Sequence, residues 1–303
     1  MSQDPKVKIF TDRSYQLKKV RDFFYKKNIL EVDTQALLKY PTIDFYIDSI
    51  KAYPSNKLHY LHTSPEYEMK KIISKGMRDI YYLGHVFRDK EKSKKHHFEF
   101  TMIEWYKSDI TFEEFIKDNL KIIKLFIRFK KFEKVSYQTL FKSYLNFDCF
   151  DIRKEEFKKI LKNENISLEN FDFCSNEEIL NLLFDYVIEK KCSKNVLYLV
   201  YDFPSNQAAL AKTYIKNNIE VAFRFEFFFN GLELGNGFFE LDDEKIQKER
   251  FLKILKVKKD LEIDSDFLNS LKNLGNLFGI AFGFDRLFML KHNKKNIEDI
   301  LFL

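Results

Sequence analysis

Three glutamates spaced seven residues apart are the first candidates for chemistry in this sequence. Glu226 and Glu233 lie on two segments that are predicted to pair as strands, and Glu240 follows the second segment. Carboxylate oxygens are ligands that Mg²⁺ takes in proteins, and two of them on paired strands could hold the ion against a nucleotide's phosphates. The glycines on both sides of Asn236 predict a β-bulge, which would turn Glu240 toward the same cavity as Glu233. The alternative is a charged surface hairpin.

Glycine is rare in this chain and is concentrated in two segments. Of the eight glycines, six lie in 230–237 and 275–283, and the second segment leads into Asp285 and Arg286. Residues without a side chain let the backbone bend or come close to another group. A guanidinium fixed beside such backbone suits a phosphate. We therefore predict a nucleotide site near Arg286.

Period-two alternation in the segment 97–106 places an acid and a phenol beside aromatic rings. One face of this predicted strand carries Phe98, Phe100, Met102, Glu104 and Tyr106. Phe100 could stack on a flat base, and Glu104 could receive a cation farther along the strand. The alternative is an amphipathic strand with core phenylalanines and a solvated glutamate.

Arg88 ends the strand that is predicted to pair with 97–106, so it would lie beside that face, where it could grip a phosphate. Between the two strands, the hydrophilic loop 89–96 could fold over a polyanion. The alternatives are a surface charge for Arg88 and a solvated charge run for the loop.

Composition indicates a globular protein of a reducing compartment. The net charge is +6 and the pI is about 8.8, but both signs are intermixed, so the basicity does not by itself indicate nucleic-acid binding. Three cysteines without metal-ligand spacing argue against a disulfide framework or a zinc site. No run approaches the ~20 apolar residues of a membrane span, and the N-terminus does not read as a signal peptide. A cytoplasmic location is expected.

Local patterns predict an α+β fold with a mixed, mainly antiparallel sheet in one domain over 1–303. Ser64 is the expected N-cap of a helix that has Pro65 in its first turn, and strands 79–88 and 97–106 are expected to form a hairpin. Capping boxes at Thr111 and Ser175 predict helices over 112–132 and up to about 190. The remaining predicted elements are a helix over 11–28, a strand at 29–32, a helical insertion at about 133–174, strands at 195–201 and 221–229, a helix over 242–260, a strand at 279–283 and a helix from 285.

Together these segments resemble the class II aminoacyl-tRNA synthetases over nearly the whole chain. Segment 13–34 is similar to motif 1 of that class, Phe87-Arg88 with the loop and Phe98-Glu99-Phe100-Thr101 to motif 2, and 279–286 to motif 3. The lysyl branch is indicated by three further segments, which are Thr63-Ser64-Pro65-Glu66-Tyr67, Glu104-Trp105-Tyr106 and 233–240. The resemblance implies a class II catalytic domain made of antiparallel sheet and flanking helices.

The motif 1 resemblance begins within the first fifteen residues, so we do not expect the anticodon-binding barrel of lysyl-tRNA synthetases. Segment 204–211 also resembles the branch members that lack this barrel and modify elongation factor P. The resemblance implies an ATP-dependent ligase that activates (R)-β-lysine as an acyl-adenylate, releases pyrophosphate, and transfers the acyl group to a lysine of elongation factor P. It implies Mg²⁺, a homodimer, and neither a membrane nor tRNA as partner.

The resemblance also implies roles for particular residues. Arg88 and Arg286 would be catalytic: Arg88 would hold the α-phosphate, and Arg286 would sandwich adenine with Phe100. The implied ATP-binding residues are Arg88, Asp89, Lys90, His97, Phe100, Glu233, Leu234, Asn236, Gly283 and Arg286. Glu226 and Glu233 would bind Mg²⁺. In the substrate pocket, Glu66 would receive the backbone-type amine. The ε-ammonium would be received by Glu104, Tyr106 and Glu240. The implied neighbours of the substrate are Ser64, Pro65, Asn236 and Ala281.

Ala281 and three departures from the pattern refine this interpretation. The tRNA-charging enzymes have glycine where Ala281 stands, and its methyl would tune the choice between α- and β-amino isomers by about 1–3 kcal/mol. Lys90 replaces an acid, His97-Phe98 replaces Asn-Pro, and Gln35 replaces the motif 1 proline. Lys90 cannot accept a hydrogen bond from the adenine amine, but Glu91 could accept it instead. Two alternatives stay open: a truncated lysyl-tRNA synthetase that charges tRNA, and a non-catalytic synthetase-like binding protein.

Overall fold

A computed structural model describes residues 4–301 of the chain. Its strands are β1 (Leu30–Glu31), β2 (Leu37–Leu38), β3 (Lys51–Ala52), β4 (His59–Leu61), β5 (Ile80–Phe87), β6 (Glu99–Ser108), β7 (Lys131–Ser136), β8 (Val196–Pro204), β9 (Thr213–Lys216), β10 (Ile219–Phe229), β11 (Leu232–Phe239) and β12 (Leu277–Gly283). Its α-helices are α1 (Pro5–Tyr25), α2 (Glu66–Ser74), α3 (Phe112–Lys124), α4 (Tyr137–Leu145), α5 (Lys154–Asn163), α6 (Asn176–Tyr186), α7 (Glu244–Leu255), α8 (Ser265–Leu271) and α9 (Phe284–Lys291).

The described chain forms two compact units. Unit 1 comprises the chain up to Arg128, Ala209–Lys212 and the chain from Gly237 onward, and unit 2 comprises Phe129–Ala208 and Thr213–Asn236. Each unit has its own hydrophobic core. Whether they count as one domain, as the sequence predicts, stays a prediction.

The sheet of unit 1 has the strand order β1, β5, β6, β12. β1 is parallel to β5, whereas β5–β6 and β6–β12 are antiparallel, so the predicted hairpin is confirmed. The register places Gly279 of β12 opposite Tyr106 of β6, and Ala281 opposite Glu104. β2, β4 and β3 form a separate three-stranded sheet.

Side-chain capping marks the start of α1 and α3, whereas α2 begins at Glu66 with Pro65, and not the predicted Ser64, as its N-cap. Asp4 accepts a hydrogen bond from the Lys6 N–H, so α1 begins earlier than the predicted residue 11. Thr111 and Glu114 form the predicted capping box of α3. That helix ends at Lys124, however, and not at 132 as predicted. Buried Phe126 and Ile127 continue the apolar pattern past the true helix end, so periodicity alone misplaces it.

Unit 2 is built on strands β7 to β11. β8 is parallel to β7 and antiparallel to β10, β9 is antiparallel to β10, and β11 is the other neighbour of β10. Helices α4, α5 and α6 cover this sheet with a core that includes Tyr137, Phe157 and Phe184. The predicted helical insertion at 133–174 contains α4 and α5, but it begins within strand β7. Antiparallel pairs outnumber parallel pairs in both units, which confirms the predicted fold class.

Along residues 4–301, no helix combines the length and apolarity that a membrane crossing needs.

Candidate active site

Glu104 lies in the middle of β6 and is buried with two hydroxyl donors. The Tyr106 hydroxyl donates to Glu104 Oε1 at 2.7 Å, and the Ser64 hydroxyl donates to Oε2 at 2.6 Å. The contact with Tyr106 confirms that the two side chains share one face, as alternation predicts. Ser64 also accepts a hydrogen bond from the Glu66 N–H at 3.0 Å, so this serine joins the start of α2 to β6.

A buried lysine lies between two more carboxylates. Lys70 follows Glu66 by four residues on α2, and its Nζ is 2.7 Å from Glu66 Oε1 and 2.6 Å from Glu240 Oε2. Lys70 has 0% and Glu240 has 1% of its surface exposed. Glu240 follows β11, and its N–H donates to the Leu277 carbonyl at 2.9 Å, which fixes it beside β12. We call the group Ser64, Glu66, Lys70, Glu104, Tyr106 and Glu240 the amine pocket.

Burial and mutual repulsion change the acidity of this pocket. Burial and the Glu66 charge raise the pKa of Glu104 to about 7, although the hydrogen bonds from Ser64 and Tyr106 and the charge of Lys70 act in the opposite direction. Burial raises the pKa of Glu240 to about 8, although the adjacent Lys70 opposes the shift. Burial and the nearby carboxylates keep the Tyr106 phenol protonated by raising its pKa. The pocket is therefore short of positive charge, and an incoming ammonium would be strongly favoured.

Gly279 forms one wall of the amine pocket. A Cβ atom at this position would overlap both Glu240 Oε1 and Tyr106 Cε1, so no side chain fits without moving both. At Gly283 on the same strand, a Cβ would meet Arg286 Cδ at 3.5 Å, which is an ordinary contact. The absence of a side chain at Gly279 therefore shapes the pocket directly.

A second cluster of unit 1 combines a guanidinium with an aromatic ring. Arg88 lies with its Cζ 5.2 Å from the centre of the Phe100 ring, and its Nη1 is 3.7 Å from Glu91 Oε2. Phe98 lies just outside β6 and is exposed, so the face predicted from alternation begins at Phe100. The ring and the guanidinium offer stacking and charge to an anionic planar ligand.

Arg286 is held by the loop that follows Arg88. His96 Nε2 lies 2.5 Å from Arg286 Nη2, and His96 Nδ1 lies 2.8 Å from the Ser93 hydroxyl. Because a guanidinium can only donate, Nε2 accepts and the ring proton belongs on Nδ1. The sequence prediction named the neighbouring His97 instead, and His97 Nδ1 accepts from the Glu99 N–H at 3.3 Å.

The start of α9 is anchored to β6 and α1. Asp285 Oδ2 accepts from the Thr101 N–H at 2.7 Å, and Oδ1 accepts from Arg13 Nη1 at 2.5 Å. The Arg13 guanidinium also lies over the Phe284 ring, at 4.9 Å from its centre. These contacts fix the backbone from which Arg286 projects, so the three segments that resemble the class II motifs meet here.

Two loop residues of the predicted ATP set have partners on another segment. Lys90 Nζ pairs with Asp48 Oδ2 at 3.0 Å, and the Asp89 N–H donates to the Asp48 carbonyl at 2.9 Å. These contacts tie the start of the loop to residue 48. Contact of Asp89, Lys90 or His97 with ATP stays a prediction.

The predicted metal ligands lie in unit 2. Burial raises the pKa of Glu226 to about 7; Arg224 opposes the shift and the Glu233 charge adds to it. Arg224 Nη2 lies 2.5 Å from Glu226 Oε1. Within residues 4–301, buried Asn236 Oδ1 accepts no hydrogen bond. The carboxylates of Glu226 and Glu233, whose charges interact, are hard oxygen donors of the kind that Mg²⁺ takes. Among the residues that the structure describes, no group of three or more His, Cys, Asp and Glu side chains is arranged to hold a metal ion, so Mg²⁺ binding by this pair stays a prediction. Leu234, which lies between Glu233 and Asn236 in the sequence, is buried.

Sequence reasoning missed Lys70, Gly279 and His96 as parts of these clusters. Glu66 and Lys70 stand in i, i+4 relation on a predicted helix, which is a signal for an ion pair. Nothing local indicates that Glu240 joins that pair. His96 differs from His97 by one position in a loop, where no periodicity decides which side chain turns inward.

Comparisons with known proteins bear on these clusters. The family model of the class II tRNA synthetases (D, K and N) matches residues 2–303. A relative from Buchnera aphidicola subsp. Acyrthosiphon pisum, named elongation factor P–(R)-β-lysine ligase, is 38% identical over 95% of this chain and 93% of its own length. Relatives of the same name from Avibacterium paragallinarum and Haemophilus influenzae are 33% and 31% identical, each over 97% of this chain and 94% of their own.

Proposed function

This chain belongs to the class II tRNA synthetases (D, K and N), and from that membership we propose that it is an ATP-dependent ligase that attaches (R)-β-lysine to elongation factor P. The name shared by its full-length relatives supports the protein substrate and the acyl group. The observation that carries the proposal is the amine pocket. Three buried or half-buried carboxylates converge there on one face of the unit 1 sheet, which suits an amino acid with a second amine.

In this proposal the amine pocket positions the substrate. Glu66 receives the backbone-type amine, and Glu104, Tyr106 and Glu240 receive the ε-ammonium. Ser64 and Pro65 hold the start of α2, and a role for Asn236 of unit 2 is a prediction that comes from the sequence resemblance alone. A ligand without the ε-ammonium leaves buried carboxylates unpaired, so we expect discrimination of roughly 10⁴-fold against it.

Activation joins the substrate carboxylate to the α-phosphate of ATP. A carboxylate oxygen attacks the α-phosphorus, the bond from that phosphorus to the bridging oxygen breaks, and pyrophosphate leaves. Arg88 stabilises the charge at the α-phosphate, and Phe100 and Arg286 hold the adenine between them. Positioning and charge stabilisation supply most of the rate enhancement in such a step. When bound, Mg²⁺ neutralises phosphate charge, and Glu226 and Glu233 would hold it.

Transfer completes the proposed reaction. The ε-amine of a lysine on elongation factor P attacks the acyl carbon, AMP leaves with the electron pair of the broken bond, and the attacking nitrogen loses a proton. We also propose that the ligase acts in the cytoplasm as a homodimer.

The direct test is ATP–pyrophosphate exchange with α-lysine, (R)-β-lysine and norleucine, followed by transfer assays with elongation factor P and with tRNA. We expect exchange with the lysine isomers, almost none with norleucine, and acylation of the factor. Acylation of tRNA alone would establish a tRNA-charging enzyme instead. Lysine binding without exchange would establish a non-catalytic binding protein.

Ala281 provides a prediction about isomer choice. Its methyl lies opposite Glu104 and two residues along β12 from Gly279, so it projects on the amine-pocket side of the strand. We expect Ala281→Gly to raise the kcat/KM for α-lysine relative to (R)-β-lysine by about 10-fold, since one methyl is worth about 1–3 kcal/mol. Exchange kinetics with both isomers measure this ratio. An unchanged ratio would remove Ala281 from the basis of isomer selection.

A further inference from the structure

Lys70 is the one member of the amine pocket that carries a positive charge. Its ammonium lies between the carboxylate proposed for the backbone-type amine, Glu66, and one proposed for the ε-ammonium, Glu240. A single Nζ touches both, so it fixes how far apart the two oxygens can be. Because Lys70 has 0% exposed surface, bulk solvent does not screen these two contacts.

The titratable and charged groups near Lys70 come from several of the elements packed around it. Glu66 belongs to its own helix, α2; Glu104 and Tyr106 come from β6; and Glu240 follows β11. On β5, the Tyr82 phenol lies close enough to Glu104 for that charge to raise the pKa of the phenol. Helix α8 packs against α2 through buried apolar residues such as Phe267, which stacks on Tyr67, and its N-cap Asp264 pairs with Lys71 instead.

We infer that Lys70 is a specificity-determining positioning residue, the internal counter-ion that sets the charge of the amine pocket to match a substrate with two ammonium groups. Once the arriving ammonium groups hold Glu104 and Glu240 in their ionised forms, the three carboxylates of Glu66, Glu104 and Glu240 and the Lys70 ammonium together give the pocket two net negative charges. A diamino acid brings two positive charges. The inference deepens the proposed function and rests on it for the identity of the substrate.

The protonation state of Lys70 agrees with this role. Burial alone would lower the pKa of Lys70, but Glu240 and Glu66 outweigh burial and raise it. Lys70 is therefore an ammonium at neutral pH and not a nucleophile that could accept the acyl group. In return, its charge lowers the pKa of both Glu104 and Glu240 below what burial would impose.

Removing the charge gives a pH signature. We expect Lys70→Met to raise the pKa of Glu104 and Glu240 by roughly one to three units, the effect of losing an opposite charge at contact distance. Both groups must be ionised to receive the ammonium. The acid limb of kcat/KM for lysine, which reports the free enzyme, should therefore move to higher pH by at least about one unit. At pH 7 the KM for lysine should rise at least about 10-fold while the KM for ATP changes little.

Lys70→Arg is the matched variant, because it keeps the charge and changes the shape. We expect it to weaken lysine binding but to keep the acid limb at the wild-type pH. If Lys70→Met and Lys70→Arg lower kcat/KM equally and neither moves the acid limb, Lys70 has only a structural role and the inference is wrong.

A measurement on the unaltered protein covers the case in which the variants do not fold. Carboxyl and ammonium resonances in the ¹³C-glutamate and ¹⁵N-lysine spectra give the titration of Glu104, Glu240 and Lys70 without any substrate. We expect Lys70 to remain charged above the pH at which an exposed lysine titrates; titration below that pH overturns the inference. The wild-type protein could give this titration and yet support no lysine-dependent exchange. That result would refute the proposed function and, with it, the match to a diamino acid, but the counter-ion contact of Lys70 would stand.

Discussion

Arg286→Ala is expected to reduce ATP–pyrophosphate exchange by about 10²–10³-fold or more, because a preorganised charge beside the nucleotide is lost. The residue projects from the first turn of α9, whose backbone Asp285 fixes to β6 through the Thr101 N–H. The alanine variant keeps that anchor and loses the side chain beyond Cβ, including the guanidinium. Single-turnover and steady-state exchange assays at saturating lysine measure the effect.

Two further variants make the Arg286 result interpretable. Arg286→Lys keeps a charge without the planar fork that stacks and donates in parallel, so it should recover only part of the activity. Arg128→Ala removes an exposed arginine and should leave exchange within twofold of wild type. Exchange by Arg286→Ala within tenfold of wild type would contradict the placement of Arg286 at the nucleotide.

Glu240→Gln is expected to lower kcat/KM for lysine by about 10²–10⁴-fold, because it removes the charge of a buried ion-paired carboxylate at nearly constant shape. Glu240 is 1% exposed and pairs with Lys70 at 2.6 Å, so the variant leaves Lys70 under-compensated as well as the substrate ammonium. The KM for ATP should change little. Exchange kinetics with varied lysine and saturating ATP separate the two constants.

The control for Glu240 is an exposed glutamate of the same unit. Glu249→Gln on α7 should keep kcat/KM for lysine within twofold of wild type. Thermal unfolding of both variants shows whether the loss reflects binding or folding. If Glu240→Gln keeps lysine kcat/KM within a factor of a few, the ε-ammonium does not bind at this carboxylate.

Several parts of the fold were predictable because local chemistry decides them. The capping boxes at Thr111 and Ser175 are four-residue patterns, and both are present in the structure. The β5–β6 hairpin follows from alternation on either side of a polar loop, which also places Glu104 and Tyr106 on one face. The end of α3 was wrong by contrast, because Phe126 and Ile127 are buried after the helix has ended.

The sequence by itself determined the family, the mainly antiparallel sheets, and the residue types of the proposed substrate and nucleotide sites, because these depend on short motifs and on period-two patterns. Only the tertiary structure decided that Lys70 closes the space between Glu66 and Glu240, that Gly279 has no room for a side chain, and that His96 contacts Arg286. The physical reason is that each of these contacts joins elements far apart in the chain. The packing of α2 against the end of β11, of β12 against β6, and of the 89–96 loop against α9 creates them, and no local pattern records the distance between their side chains.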